Sequence, residues 1–163
     1  MPSMSITWDL VATGLARIEI SDERATTVLD AATTSYAPED LLDAVYDMVC
    51  CGEDGWRFVF ETPTTAHAWL FRRTRGEVAI RILSLPSWDA SDGVGVEVWA
   101  SNQTVDALAD ATITCFQKLA GRYGEPEYFE MWREPFPGEH LKRLESVFAD
   151  RQKARESGGW WCF

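Results

Sequence analysis

Between Trp56 and Leu85, large apolar residues recur at every second position, and few architectures can accommodate such a stretch. Side chains on a strand alternate between two faces. Trp56, Phe58 and Phe60 therefore share one face, with Arg57, Val59 and Glu61 on the other. His67, Trp69 and Phe71 repeat the pattern after Pro63, and Val78, Ile80 and Ile82 repeat it after a turn at Gly76. The spacing predicts an antiparallel meander of three strands. A face this aromatic must be kept from water, which calls for a helical layer over it.

The flanks supply that layer. Ile6–Val11, Ala16–Ile20 and Thr26–Leu29 alternate as strands, with turn chemistry at Gly14 and at Asp22-Glu23. A helix is predicted from Pro38: proline suits a first turn, and Glu39 and Asp40 suit the positive end of the helix dipole. Leu41, Leu42, Val45, Met48 and Val49 form its apolar face up to a stop at Gly52. After the Pro86–Gly93 loop, Val94, Val96 and Val98 alternate with Gly95, Glu97 and Trp99 as a further strand. Thr104 is a good N-cap for a long helix, striped by Val105, Leu108, Thr112, Cys115, Phe116 and Leu119 and ended by Gly124 and Pro126. Tyr128–Arg133 reads as a helical turn on the sheet edge, and Glu139 to Gln152 as a last helix. The expected fold class is α+β: a two-layer sandwich, with a largely antiparallel sheet of six or seven strands under two main helices and a C-terminal helix. Residues 1–152 make one domain and 153–163 a tail ending Trp160-Trp161-Cys162-Phe163. Three aromatic side chains at that end need cover, either from the chain itself or from a second copy in a homodimer.

Charge narrows the partners. Fifteen Lys and Arg stand against 26 Asp and Glu, a net charge of −11. Such a surface repels nucleic acid and anionic membranes and favours a basic protein partner. The acids are also segregated. Asp30, Glu39, Asp40, Asp43, Asp47, Glu53 and Asp54 lie between Arg24 and Arg57 with no base among them. Asp89, Asp92, Glu97, Asp106 and Asp110 lie likewise between Arg81 and Lys118. These two segments can merge into one partner-binding face built of Asp40, Asp43, Asp47, Glu53, Asp54, Asp89, Asp92, Asp106 and Asp110. The competing reading is an ordinary solvated surface.

Signals for catalysis are sparse. There is no Gly-rich phosphate loop, no dinucleotide fingerprint and no Gly-x-Ser-x-Gly elbow. Cys50, Cys51, Cys115 and Cys162 form no Cys-x-x-Cys pair, and neither His67 nor His140 adjoins them, so neither a metal nor another cofactor is expected. His67 is expected to be packed, with a hydrogen-bond partner. The enzymatic alternative is a small hydrolase or ligand-binding enzyme using the strand carboxylates Glu61 and Glu97, with Trp88 and Trp99 to stack a substrate. No signal peptide or membrane-length apolar run is present, so a cytoplasmic location is expected.

Glu61-Thr62-Pro63 before Ala68-Trp69-Leu70-Phe71-Arg72-Arg73, then Pro135-Phe136-Pro137 and Leu141-Lys142-Arg143-Leu144-Glu145, resemble small uncharacterised actinobacterial proteins. Those carry Gly where this chain has Thr64. Their size, acidity and α+β design are similar to those of immunity proteins of bacterial toxin systems. The resemblance implies a non-enzymatic inhibitor that caps a basic toxin domain, and it assigns no catalytic residue.

Overall fold

The computed structural model describes residues 3–50 and 54–157. The chain forms β1 (Met4–Ala12), β2 (Leu15–Asp22), β3 (Thr26–Ala32), α1 (Ala37–Cys50), β4 (Gly55–Glu61), β5 (Ala66–Thr74), β6 (Glu77–Leu85), β7 (Val96–Thr104), α2 (Val105–Trp132) and α3 (Gly138–Glu156). The α+β class and the order of elements agree with the alternation in the sequence. The single sheet does not: the strands divide into two antiparallel sheets, β1-β2-β3 and β4-β5-β6-β7. The reason is the β3–β4 connection. It is the 14-residue helix α1, so β4 does not return as the next rung beside β3.

Each sheet has one apolar face, and the two faces share one core. Ile6, Trp8, Leu10, Ile18, Ile20 and Leu29 of the first sheet are buried with Phe58, Phe60, Trp69, Phe71, Ile80 and Trp99 of the second. The register explains the meander face: Phe58 lies opposite Trp69, and Phe71 opposite Trp56 and Ile80. The Trp69 ring stacks on Phe58 at 5.3 Å and touches Phe60 at 5.0 Å and Phe71 at 6.4 Å. Trp8 carries the cluster across to the first sheet, 5.8 Å from Phe60, and up to α2, 5.4 Å from Phe116. Offset and edge-on ring pairs of this kind add to the area they bury. A smaller cluster, Ala66, Ala68, Leu83 and Leu85, lies on the far face of the second sheet, and Ala90 of the β6–β7 loop packs on it.

Helix α2 is longer than expected and broken where the glycine stands. Gly124 (φ 70°, ψ 159°) interrupts it, and Pro126 opens a second limb that runs to Trp132. Proline costs little in a first turn, so the Gly-x-Pro signal kinks the helix and does not end it. That limb buries Tyr128 and Trp132 in the core. Its last carbonyls have no helical partner. Two loops supply partners: Gly14 N–H of the β1–β2 turn donates to the Met131 carbonyl at 2.7 Å, and the Thr33 hydroxyl, just after β3, donates to that of Trp132 at 2.6 Å. Gly14 adopts φ 71°, which costs a glycine nothing. Helix α3 runs four residues beyond Gln152, and Arg151 and Arg155 both pair with Asp106 at the start of α2. The tail residues Trp160–Phe163, and with them the homodimer contact, lie outside the described residues.

Trp69 is fully buried at the centre of the aromatic cluster. Trp69→Ala is expected to lower unfolding stability by about 3–5 kcal/mol. Denaturant titration checks this, and an unchanged midpoint would show that the core does not depend on the ring.

Candidate functional site

The helices gather acidic groups at one end of the molecule. Asp43 meets His140 Nδ1 at 2.7 Å, and the Arg143 guanidinium lies 4.4 Å from the centre of the Tyr46 ring, so α1 and α3 run side by side in the same direction. Helix α2 runs the other way. Gln117 Nε2 donates to Glu145 at 2.7 Å, and Arg151 Nε donates to Asp106 at 2.8 Å. The first turn of α1, the α2–α3 connection and the first turn of α3 therefore share one end. There Glu39, Asp40 and Asp43 feel one another's charge, Glu134 adds its own, and His140 is the basic group among them. Glu139 follows in the first turn of α3.

Burial and crowding show in the protonation of two of these acids, Asp40 and Glu39. Burial, then the charges of Glu39 and Asp43, push the Asp40 carboxyl up to about 6. Glu39 is raised as well, chiefly by burial. Helix N-termini favour carboxylates, but here desolvation and like charge outweigh the dipole. Beneath the cluster, the Tyr128 hydroxyl is buried with no hydrogen-bond partner among the described residues, and burial raises its pKa with a contribution from Glu39.

The other acids fall in different settings. Asp47 is half-buried on α1, within the field of Arg143. Asp92 is gripped by Arg57 through two guanidinium nitrogens at 2.9 and 3.0 Å. Asp106 is held by Arg151 and Arg155 at the opposite end of the α1–α3 pair. Asp54, Asp89 and Asp110 are exposed. Glu53 lies outside the described residues. The structure thus brings Asp40 and Asp43 together and adds Glu39 and Glu134, while three of the expected acids are engaged with bases of this chain. Glu39 carried a signal, standing beside Asp40 in a first turn. Glu134 carried none, because only the kink in α2 brings it there.

The opposite end of α1 is closed from within. Arg73 is buried on β5, its Nη1 donating to the Met48 carbonyl at 2.6 Å and its Nε to the Arg75 carbonyl at 2.8 Å. It caps the carbonyl end of α1, where a cation is favoured.

The carboxylate pair proposed for catalysis does not assemble. Glu61 is on β4 and Glu97 on β7, opposite edges of the four-stranded sheet. Three strand spacings of about 4.8 Å put them roughly 14 Å apart. Acid–base pairs work at about 5–10 Å. Glu97 is also bound to Arg81 at 2.7 Å, and Trp99 is buried, its Nε1 donating to the Ala25 carbonyl at 3.1 Å. His67 Nδ1 has no hydrogen-bond partner among the described residues, which differs from the expected packed and bonded histidine, and burial lowers its pKa. The Cys115 thiol is pushed up to about 12 by burial, far from the thiolate a nucleophile needs. No three of His, Cys, Asp and Glu converge as metal ligands among the described residues, and no described helix is long and apolar enough to cross a membrane.

Asp40 makes stability depend on pH in a definite direction. Its folded value, about 6, lies above the ordinary 3.8, so the folded state holds the extra proton. That contribution is fully present below about 4 and is lost as pH rises through about 6. Asp40→Asn is expected to melt above the native protein at pH 7 and to show a flatter profile between pH 4 and 7. Melting curves across that range check it, and a native profile that rises with pH as steeply as the variant's would count against the crowding. Comparison with known protein families, curated proteins and solved structures gives no match for this chain.

Proposed function

We propose that the chain is a non-enzymatic, acidic protein-binding module whose partner is a basic protein, in the manner of an immunity-type inhibitor occluding a basic toxin domain. The crowded end formed by Glu39, Asp40, Asp43 and Glu134 carries this reading. Like charges held together and partly desolvated raise the energy of the free protein. A partner's Lys or Arg side chains would relieve that cost on binding, so a cationic surface is selected over a neutral one. The exposed Asp54, Asp89 and Asp110 add to the long-range field that draws such a partner in. Asp92 and Asp106 contribute less, because Arg57 and Arg151 already partner them.

The test is association kinetics with a basic protein captured from the source cells. Glu134→Lys with Glu139→Lys is expected to slow association at least tenfold while leaving the melting temperature near the native one, since both side chains are exposed. Raising salt should slow the native protein in the same sense, because screening shortens the reach of charge to about 8 Å at physiological ionic strength. An association rate indifferent to both would remove the electrostatic basis of the proposal.

A further inference from the structure

Strand β7 is an edge of the four-stranded sheet among the described residues. Exposed edges are normally blunted by lysine, proline or shortness, because their free N–H and C=O groups invite another strand. Strand β7 is nine residues long and contains neither Lys nor Pro, so one bulge and Glu97 are the devices its own residues offer. A bulge where Leu83 pairs with Glu97 and Ile82 with Trp99 leaves Val98 as the extra residue. Val96 and Val98 are 67% and 39% exposed.

A groove of about 570 Å³ is lined by residues of β7, of the adjoining β6 and of the β2–β3 turn. Its charged walls are Asp22, Glu23, Glu77 and Glu97 against Arg24 and Arg81. Arg81 is already matched by Glu97. The Asp22 carboxyl stays ionised: burial opposes this, but the Ser101 hydroxyl and the N–H groups of Ala25 and Arg24 hold it below the usual carboxylate range. The groove therefore keeps a net negative charge. Gln103, which also lines it, is 2% exposed, and its Oε1 meets no donor although its Nε2 reaches the Ser101 hydroxyl at 2.8 Å. A buried amide oxygen left without a donor is costly.

We infer that the β7 edge and its groove take up an extended, cationic segment of a partner chain, which pairs with β7 as a fifth strand and sets Lys or Arg side chains against Glu23 and Glu77. Strand addition explains why the free edge, the unmet acceptor and the acidic walls occur together: main-chain N–H groups satisfy the edge, and alternate side chains supply the charge. The inference goes beyond the acidic helical end, sharing with it only the positive sign of the partner.

Two synthetic probes decide it, a peptide of alternating Lys and Val and its twin of alternating Glu and Val, followed by fluorescence anisotropy and by amide hydrogen exchange of the whole chain. The Lys-Val peptide is expected to bind, to slow exchange over residues 96–103 at least tenfold, and to lose at least tenfold in affinity with Glu23→Lys plus Glu77→Lys. Both sites are exposed, and Glu23→Gln plus Glu77→Gln is the milder pair should the reversal unfold the chain. Glu134→Lys plus Glu139→Lys should leave this binding unchanged. Binding lost through the helical-end pair and not the groove pair would overturn the inference while leaving the proposed function standing. Equal binding of both peptides, unchanged exchange over 96–103 or no binding at all would also overturn it. Protection of 96–103 that grows with the concentration of the free protein would assign the edge to a second copy instead.

Discussion

The contact of Trp8 with Phe60 joins the two halves of this molecule. Neither sheet can hide its apolar face alone, one having three strands and the other four. Small antiparallel sheets gain stability by packing that face on another element. Here the two faces meet through a continuous set of rings, from Trp69 through Phe60 to Trp8 and on to Phe116 of α2. Apart from Arg73, the charged side chains of the described residues lie outside that core, and the helices that close it bring Glu39, Asp40, Asp43 and Glu134 to one end.

The helical layer is held by polar contacts with one-sided costs. Gly14 and Thr33 satisfy the last carbonyls of α2, and Arg73 satisfies the last turn of α1. Unmet backbone groups at buried helix ends are expensive, so these contacts set where each helix stops relative to the sheets. The acidic end is the converse. There Glu39 and Asp40 are partly desolvated among like charges, and His140, bonded to Asp43, is the base beside them.

The strands and helices were legible because their signals are local. Alternation located β4, β5 and β6, and the Thr104 cap, whose hydroxyl accepts from Ala107 N–H at 3.0 Å, marked the start of α2. The kink was only half legible: Gly124 and Pro126 announced a break, yet the buried side chains of Tyr128 and Trp132 make the chain resume as helix after it. Of the acidic face, the segregation in sequence pointed to α1, but pairing partners came from segments far along the chain. Asp106 finds Arg151, and Asp92 finds Arg57, 35 positions away.

The sequence by itself determined the class of fold, the order of its elements, the aromatic face of the meander and the excess of negative charge. These follow from periodicity and composition, which need no knowledge of what lies opposite. Only the tertiary structure decided that the strands divide into two sheets, that Glu61 and Glu97 stand on opposite edges, and that Glu134 joins Glu39 and Asp40. Such facts depend on which distant segments meet. Burial and neighbouring charge, not residue type, then decide which carboxylates pair with bases of this chain and which are held in like-charged surroundings.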